Sequence, residues 1–176
     1  MNKSYPIKDL DRLNDYKSYF KSKSTRDYLL FMIALNVPLK VKDILLLTPR
    51  DLVMKDAQFI FFVNDFKIRL NVSDSALLSD YIQPLSEDEY LFQSSRTKAP
   101  LSRQQFNRIL SAAAKQLESP YTLCPNALKK TFAYHAYVQG IHIMDIQHIL
   151  GHQSKLETFA FIDVLPESKR DIQLNL

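Results

Sequence analysis

Four histidines, one cysteine and a cluster of lysines and arginines are the side chains with chemical potential in this 176-residue chain. His148 and His152 stand four apart, a spacing that puts two imidazoles on one helix face and suits zinc. The string between them, His-Ile-Leu-Gly-His, lacks the glutamate of a metalloprotease helix, and Gly151 is a helix-ending residue. His135 and His142 stand apart from that pair, and no cysteine or carboxylate cluster completes a ligand set. No metal and no cofactor is expected. Cys124 precedes a proline and reads as a small buried packing residue rather than a nucleophile. No Gly-x-Ser-x-Gly elbow occurs, and two glycines, Gly140 and Gly151, are too few for a P-loop or a dinucleotide fingerprint.

The cations are unevenly placed. Between Arg96 and Lys130 stand Arg96, Lys98, Arg103, Arg108, Lys115, Lys129 and Lys130 against Glu118 alone. That surplus of six leaves the rest of the chain at −2 for a total of +4. Such a segment is either a solvated face or an electrostatic footprint for nucleic acid, where basic side chains displace phosphate counterions.

The elements that must position these residues are mostly helical. Hydrophobic residues are 46% and charged residues 24% of the chain, a balance that supports a buried core and one domain. Ile7, Leu10, Leu13, Tyr16 and Phe20 carry helical spacing over 7–21. Ser24 or Thr25 can cap a second helix, whose run RDYLLFMIALNV is apolar nearly all round and belongs in the core. A short helix follows Pro38 to Leu47, and Pro49 reads as a stop. AQFIFFVNDFKIRLNV (57–72) is aromatic and β-branched with a turn at Asn64-Asp65, a β-hairpin. Helical signals return at 74–83, 102–118, 126–139, 142–150 and 154–164. Ser102 and Gln105 form a capping-box pair, and Gly140 and Gly151 stand at left-handed helix ends.

The segment CPNALKKTFAYHAYVQGIHIMDIQHILGHQSKLETFAFIDV (124–164) resembles the C-terminal motif of the tyrosine recombinases, the phage integrase family. That motif reads roughly Pro-His-x-Leu-Arg-His-Thr-Phe, a helix and turn, then Ile-Gln-x-Leu-Leu-Gly-His and a tyrosine nine residues later. Pro125, Leu128, Thr131, Phe132, Gly140, Ile146, Gln147, Leu150, Gly151, His152 and Thr158 match it. RDYLLFMIALNVPLKVKDILLLTPRDL (26–52) is similar to the family's first motif, and PLSRQQFNRI (100–109) to a segment of the short fimbrial-switch recombinases. Three blocks stand in order over residues 24–165. The resemblance implies a mainly α catalytic-domain fold with a small sheet over 1–176: an N-terminal helix at 1–23, the core at 24–165, and a tail at 166–176.

The departures from the motif bear on function. In the family a tyrosine oxygen attacks the scissile phosphate, and here that position is Phe161, which has no oxygen. The resemblance places the first catalytic arginine at Lys40, the His-x-x-Arg pair at Asn126 and Lys129, and the following histidine at Lys130. Only His152 is unchanged; it is read either as a phosphate ligand or as a residue that packs at its turn. Lys67, in the hairpin, is the position offered for the family's general-acid lysine. Lysine keeps arginine's charge without its bidentate fork, and asparagine donates a hydrogen bond but carries no proton. Tyr121, Tyr134 and Tyr137 are the tyrosines near the motif; each reads as packing or surface rather than a relocated nucleophile.

The resemblance therefore implies a duplex-DNA-binding protein without strand transfer, a transcriptional regulator or an accessory factor of a mobile element. The expected DNA contacts are Lys40, Lys67, Lys129, Lys130 and His152, with Arg103, Gln104, Asn107 and Arg108 as residue types that read base edges. A partner of an active recombinase and an active enzyme with a relocated nucleophile are the alternatives. Ile172, Leu174 and Leu176 in the tail are spaced for docking on a second copy or a recombinase partner. No apolar run reaches the roughly 20 residues that span a bilayer. With charges where a signal peptide has its core, the expectation is a bacterial cytoplasmic, nucleoid-associated protein.

Overall fold

Among the described residues, eight helices and three short strands are built around the helix Thr25–Asn36, whose sequence has almost no polar face. The computed structural model describes residues 4–166; the docking positions Ile172, Leu174 and Leu176 lie outside the described residues. Helix α1 (Leu10–Lys23) begins three residues later than its apolar spacing implies, because the Asp9 carboxylate caps it by accepting from the Asp11 amide. Ser24 ends α1 and caps α2 (Thr25–Asn36), in which Tyr28 through Leu35 are all buried. Phe20 of α1 stacks on Phe31 of α2 at 4.7 Å, with Tyr16 also against Phe31. Helix α3 (Val41–Leu45) follows, with Lys40 as its N-cap residue. Pro49 does not simply stop the chain: Thr48 and Asp51 cap a single 3-10 turn over Pro49–Asp51, which tolerates proline at its first position.

The sheet has one strand more than the hairpin expected. Strands β1 (Val53–Lys55), β2 (Gln58–Val63) and β3 (Phe66–Arg69) run antiparallel in the order β1-β2-β3. Val53 pairs with Ile60, Ile60 with Arg69, and Val63 with Phe66. All three β1 residues are exposed, so that strand carries no alternation to betray it. Phe59, Phe61 and Val63 face the core while Phe62 is exposed opposite Lys67. Helix α4 (Val72–Ile82) closes against the sheet; its Ser75 hydroxyl accepts from the Phe59 amide, and its buried Asp74 accepts from Tyr28.

Helix α5 (Arg103–Gln116) opens on the Ser102–Gln105 capping box, with both reciprocal bonds present. It buries Phe106, Leu110 and Ala113 and leaves its polar face in solvent. Helices α6 (Pro125–Val138), α7 (Ile143–Leu150) and α8 (Lys155–Phe161) form a second apolar cluster around Ala133, Ile143, Ile146 and Ile162. Burying each isoleucine is worth roughly 1.5–3 kcal/mol, which steadies helices too short to persist alone. Gly140 (φ +95°) and Gly151 (φ +70°) end α6 and α7 in the left-handed region. The second of these turns delivers His152. Among the described residues, no helix is long and apolar enough to cross a membrane.

Candidate DNA-phosphate site

The N-terminal ends of α3, α5 and α6 converge on one cleft of about 550 Å³. Lys40, Lys42, Arg103 and Lys129 line it together with Asn126, Ser102 and Pro125, and no carboxylate is among its lining residues. Lys40 caps α3 and Cys124 caps α6 without a side-chain bond to the first-turn amides. Those amides and the helix dipoles add partial positive charge to the cations. The cleft can therefore attract an anion. Burial, and then the neighbouring Lys40 charge, push the Lys129 ammonium below its ordinary range. A phosphate between the two lysines would oppose both effects by favouring the charged form of Lys129.

Lys129 also faces the second half of the site. The Gly151 turn sets His152 so that its amide donates to Gln147 O, 3.0 Å. Thr158 Oγ1 donates to the Ser154 carbonyl at 3.3 Å, so it accepts from His152 Nδ1–H at 3.1 Å. That tautomer leaves Nε2 available. Burial and then Lys129 lower the His152 pKa, with Glu157 opposing them between the two in strength, so the ring is neutral near pH 7. The Phe161 ring meets His152 edge-on, centroids 4.9 Å apart and planes at 72°. Lys130 Nζ lies 5.2 Å over the Phe161 ring and donates to the Ser4 carbonyl at 2.8 Å. Asn126 Nδ2 donates to Ser4 Oγ at 3.0 Å.

The structure thus gathers Lys40, Arg103, Asn126 and Lys129 in one cleft, with His152, Phe161 and Lys130 beside it. It does not gather Lys67. That residue lines a second cleft of about 480 Å³ with Lys17, Phe132, His135 and Asp145, because the Asn64-Asp65 turn docks on α7 and carries Lys67 past the first cleft. Asn64 Nδ2 donates to His148 O at 2.9 Å. Arg103, at the first turn of α5, lines the cleft and is itself exposed, as are Gln104, Asn107 and Arg108 along the helix.

His148 pairs with Asp65 at 3.3 Å rather than with His152. Among the described residues, no group of three His, Cys, Asp or Glu is placed to hold a metal ion. Cys124 is half-buried as the N-cap of α6, not fully buried as its sequence context suggests. Tyr121, Tyr134 and Tyr137 do not line the cleft: Tyr121 is exposed, and the other two pack on His135 and Phe159. The sequence reading missed Lys42 and Ser4, and it named Thr158 only as a motif match, without its bond to His152. Thr158 had a signal, its spacing of six from His152; Ser4 had none.

The sequence profile described as the phage integrase family matches residues 6–167. This chain belongs to the phage integrase family. It is 36% identical over 170 residues to the "Probable integrase/recombinase YoeC" of Bacillus subtilis, an alignment spanning 94% of this chain and 92% of that protein. It is 26% identical over 158 residues to a tyrosine recombinase of Pseudothermotoga lettingae, covering 86% of this chain but 54% of that protein. The fold matches XerA recombinase with a TM-score of 0.74 at 20% identity, over 95% of this chain and 61% of XerA. The Tn1549 transposon integrase, solved with transposon right end DNA, matches at 0.70 and 16% identity over 92% of this chain and 62% of that one. The helices and three-stranded sheet are thus the tyrosine recombinase catalytic-domain fold of the phage integrase family.

Proposed function

We propose that this phage integrase family member binds duplex DNA through the cationic cleft and the adjoining face of α5 and transfers no strands. Its role is that of a regulator or accessory factor at recombination or mobile-element sites, exercised by residues 1–176 as one domain. Phe161 carries this reading. Its ring stands beside His152, at the position the family motif gives to the attacking tyrosine, and it has no oxygen to attack with.

The neighbouring replacements favour holding a phosphate over reacting with it. Lys40 and Lys129 supply charge to a ground-state phosphate but no bidentate fork to a transition state. Asn126 donates a hydrogen bond and shuttles no proton. Four cations, no carboxylate and three helix N-termini around one cleft support an anionic ligand. The Tn1549 integrase has been solved with DNA in forms carrying a tyrosine-to-phenylalanine or an arginine-to-lysine substitution. Replacements of these types are thus compatible with a DNA complex in that protein, which supports the same separation of binding from chemistry here.

Incubation with a nicked suicide duplex, read on both native and denaturing gels, tests the proposal. The expected result is a shifted duplex on the native gel and no protein–DNA adduct under denaturing conditions. A denaturant-resistant adduct refutes the loss of chemistry, and no shift at low salt refutes DNA binding.

A further inference from the structure

Residues 4–9, ahead of α1, form a strap that runs along α6. Its bonds meet that helix in order along its length: Ser4 to Asn126 and Lys130, then Ile7 to Thr131 and His135. The Ile7 amide donates to Thr131 Oγ1 at 2.9 Å, and His135 Nε2 donates to the Ile7 carbonyl at 2.9 Å. Lys8 fastens the far end, donating to Asp163 Oδ2 at 2.9 Å and to its carbonyl at 2.7 Å. Pro6 and Ile7 are buried beneath this line. The strap is thus anchored at Ile7–Lys8, and its leading end reaches the site.

What Ser4 presents there is two oxygens. The hydroxyl takes the Asn126 amide at 3.0 Å and the carbonyl takes the Lys130 ammonium at 2.8 Å, from side chains one helical turn apart. Two oxygen acceptors held by an amide and an ammonium are the arrangement a phosphate would offer the same donors. We propose that the N-terminal strap is an intramolecular occupant of the DNA-phosphate site, competing with duplex for Asn126 and Lys130 through Ser4. This rests on the DNA-binding reading above and adds regulation to it: binding requires the strap's leading end to lift. A closed fraction of about nine chains in ten weakens apparent affinity about tenfold.

The test compares the full chain, a chain lacking residues 1–5, and Thr131→Val, each titrated with a random 20-base-pair duplex across a salt series. The deletion removes the positive charge of Lys3, which by charge alone weakens binding. The strap predicts the reverse: affinity about tenfold higher, and a salt slope steeper by about 0.9 as Lys130 turns to phosphate. Thr131→Val removes the acceptor for the Ile7 amide without touching a cation, and is expected to tighten binding by about threefold. It decides alone if the deletion does not fold by circular dichroism. Binding by the full chain with equal or weaker binding by the folded variants overturns the strap and leaves the DNA reading standing. No binding by any of the three at any salt overturns the DNA reading and the competition with it.

Discussion

Phe161 lies edge-on to His152 with ring centroids 4.9 Å apart, and its face receives the Lys130 ammonium at 5.2 Å. One hydrocarbon ring therefore holds two site residues at once, the imidazole by an edge contact and the cation by its π face. The same imidazole is fixed from the other side by Thr158 at 3.1 Å. Burial and Lys129 keep it neutral around pH 7. What Phe161 supplies to this corner of the fold is packing.

Restoring the oxygen alone is expected to leave the protein inactive. Phe161→Tyr places a phenol beside His152, but Lys40 and Lys129 still lack forks and Asn126 still carries no proton. Adduct formation on a suicide duplex should stay at background; robust cleavage by this single variant would show that the cleft retains its chemistry. Phe161→Leu should cost about 0.5–1.5 kcal/mol in denaturant unfolding through lost aromatic contacts.

Lys129 gives the cleft a pH signature. Its ammonium is held below the ordinary lysine value of 10.5 by burial and then by Lys40. As pH rises it sheds its proton before an ordinary lysine does. Duplex phosphate favours the charged form, so affinity should fall with pH in a window below 10.5, and complex formation there should take up a proton. In the free protein the unfolded chain binds the extra proton across that window, so Lys129 makes stability rise with pH. Lys40→Met should move the loss of affinity to higher pH. An unmoved midpoint in fluorescence titrations would separate the two lysines.

Much of the fold and half of the site were legible because their signals are local. The Ser102–Gln105 box, the glycines at 140 and 151 and the uniformly apolar α2 each depend on neighbours a few residues away. Strand β1 escaped because its three residues are exposed and its turn uses Asp56 and Ala57 at positive φ, without a glycine. Motif spacing grouped Lys40, Lys129, His152 and Phe161, and the fold does bring them to adjoining positions. The destination of Lys67 could not be read from spacing, because docking of the hairpin tip on α7 sets it. Ser4 was invisible for the same reason: its partners lie 122 and 126 residues away.

That hairpin docking can be tested at Asn64. Its side chain donates to the carbonyls of His148 and Ile149 at 2.9 and 3.4 Å, while its backbone sits at φ +51°. Asn64→Gly keeps the left-handed turn and loses the bonds, at a cost of about 1 kcal/mol. Asn64→Ala loses the bonds and adds left-handed strain of roughly 1–2 kcal/mol. Thermal unfolding should rank wild type above glycine and glycine above alanine. Equal stability of wild type and glycine would mean that the tip does not hold α7.

Position in the fold divides the basic residues into two groups with different expected effects on DNA. Lys40, Arg103 and Lys129 line the cleft, where a phosphate would be attracted by charge irrespective of sequence. Neutralising any one should weaken binding evenly on all duplexes and lower the slope of log affinity against log salt by roughly one. Arg103, whose residue type also suits base reading, is expected from its place in the cleft to act through charge. Gln104, Asn107 and Arg108 project from the exposed face of α5, and Arg108 is the member able to take a guanine edge with two bonds. Arg108→Ala should lose about 1–3 kcal/mol of discrimination at one base pair while leaving affinity for unrelated duplex within a salt-slope unit of wild type. Selection of bound sequences from a random duplex pool measures both groups together. If Arg108→Ala merely scales affinity on every sequence, as Arg103→Ala is expected to do, then α5 positions the protein on the backbone and reads no bases.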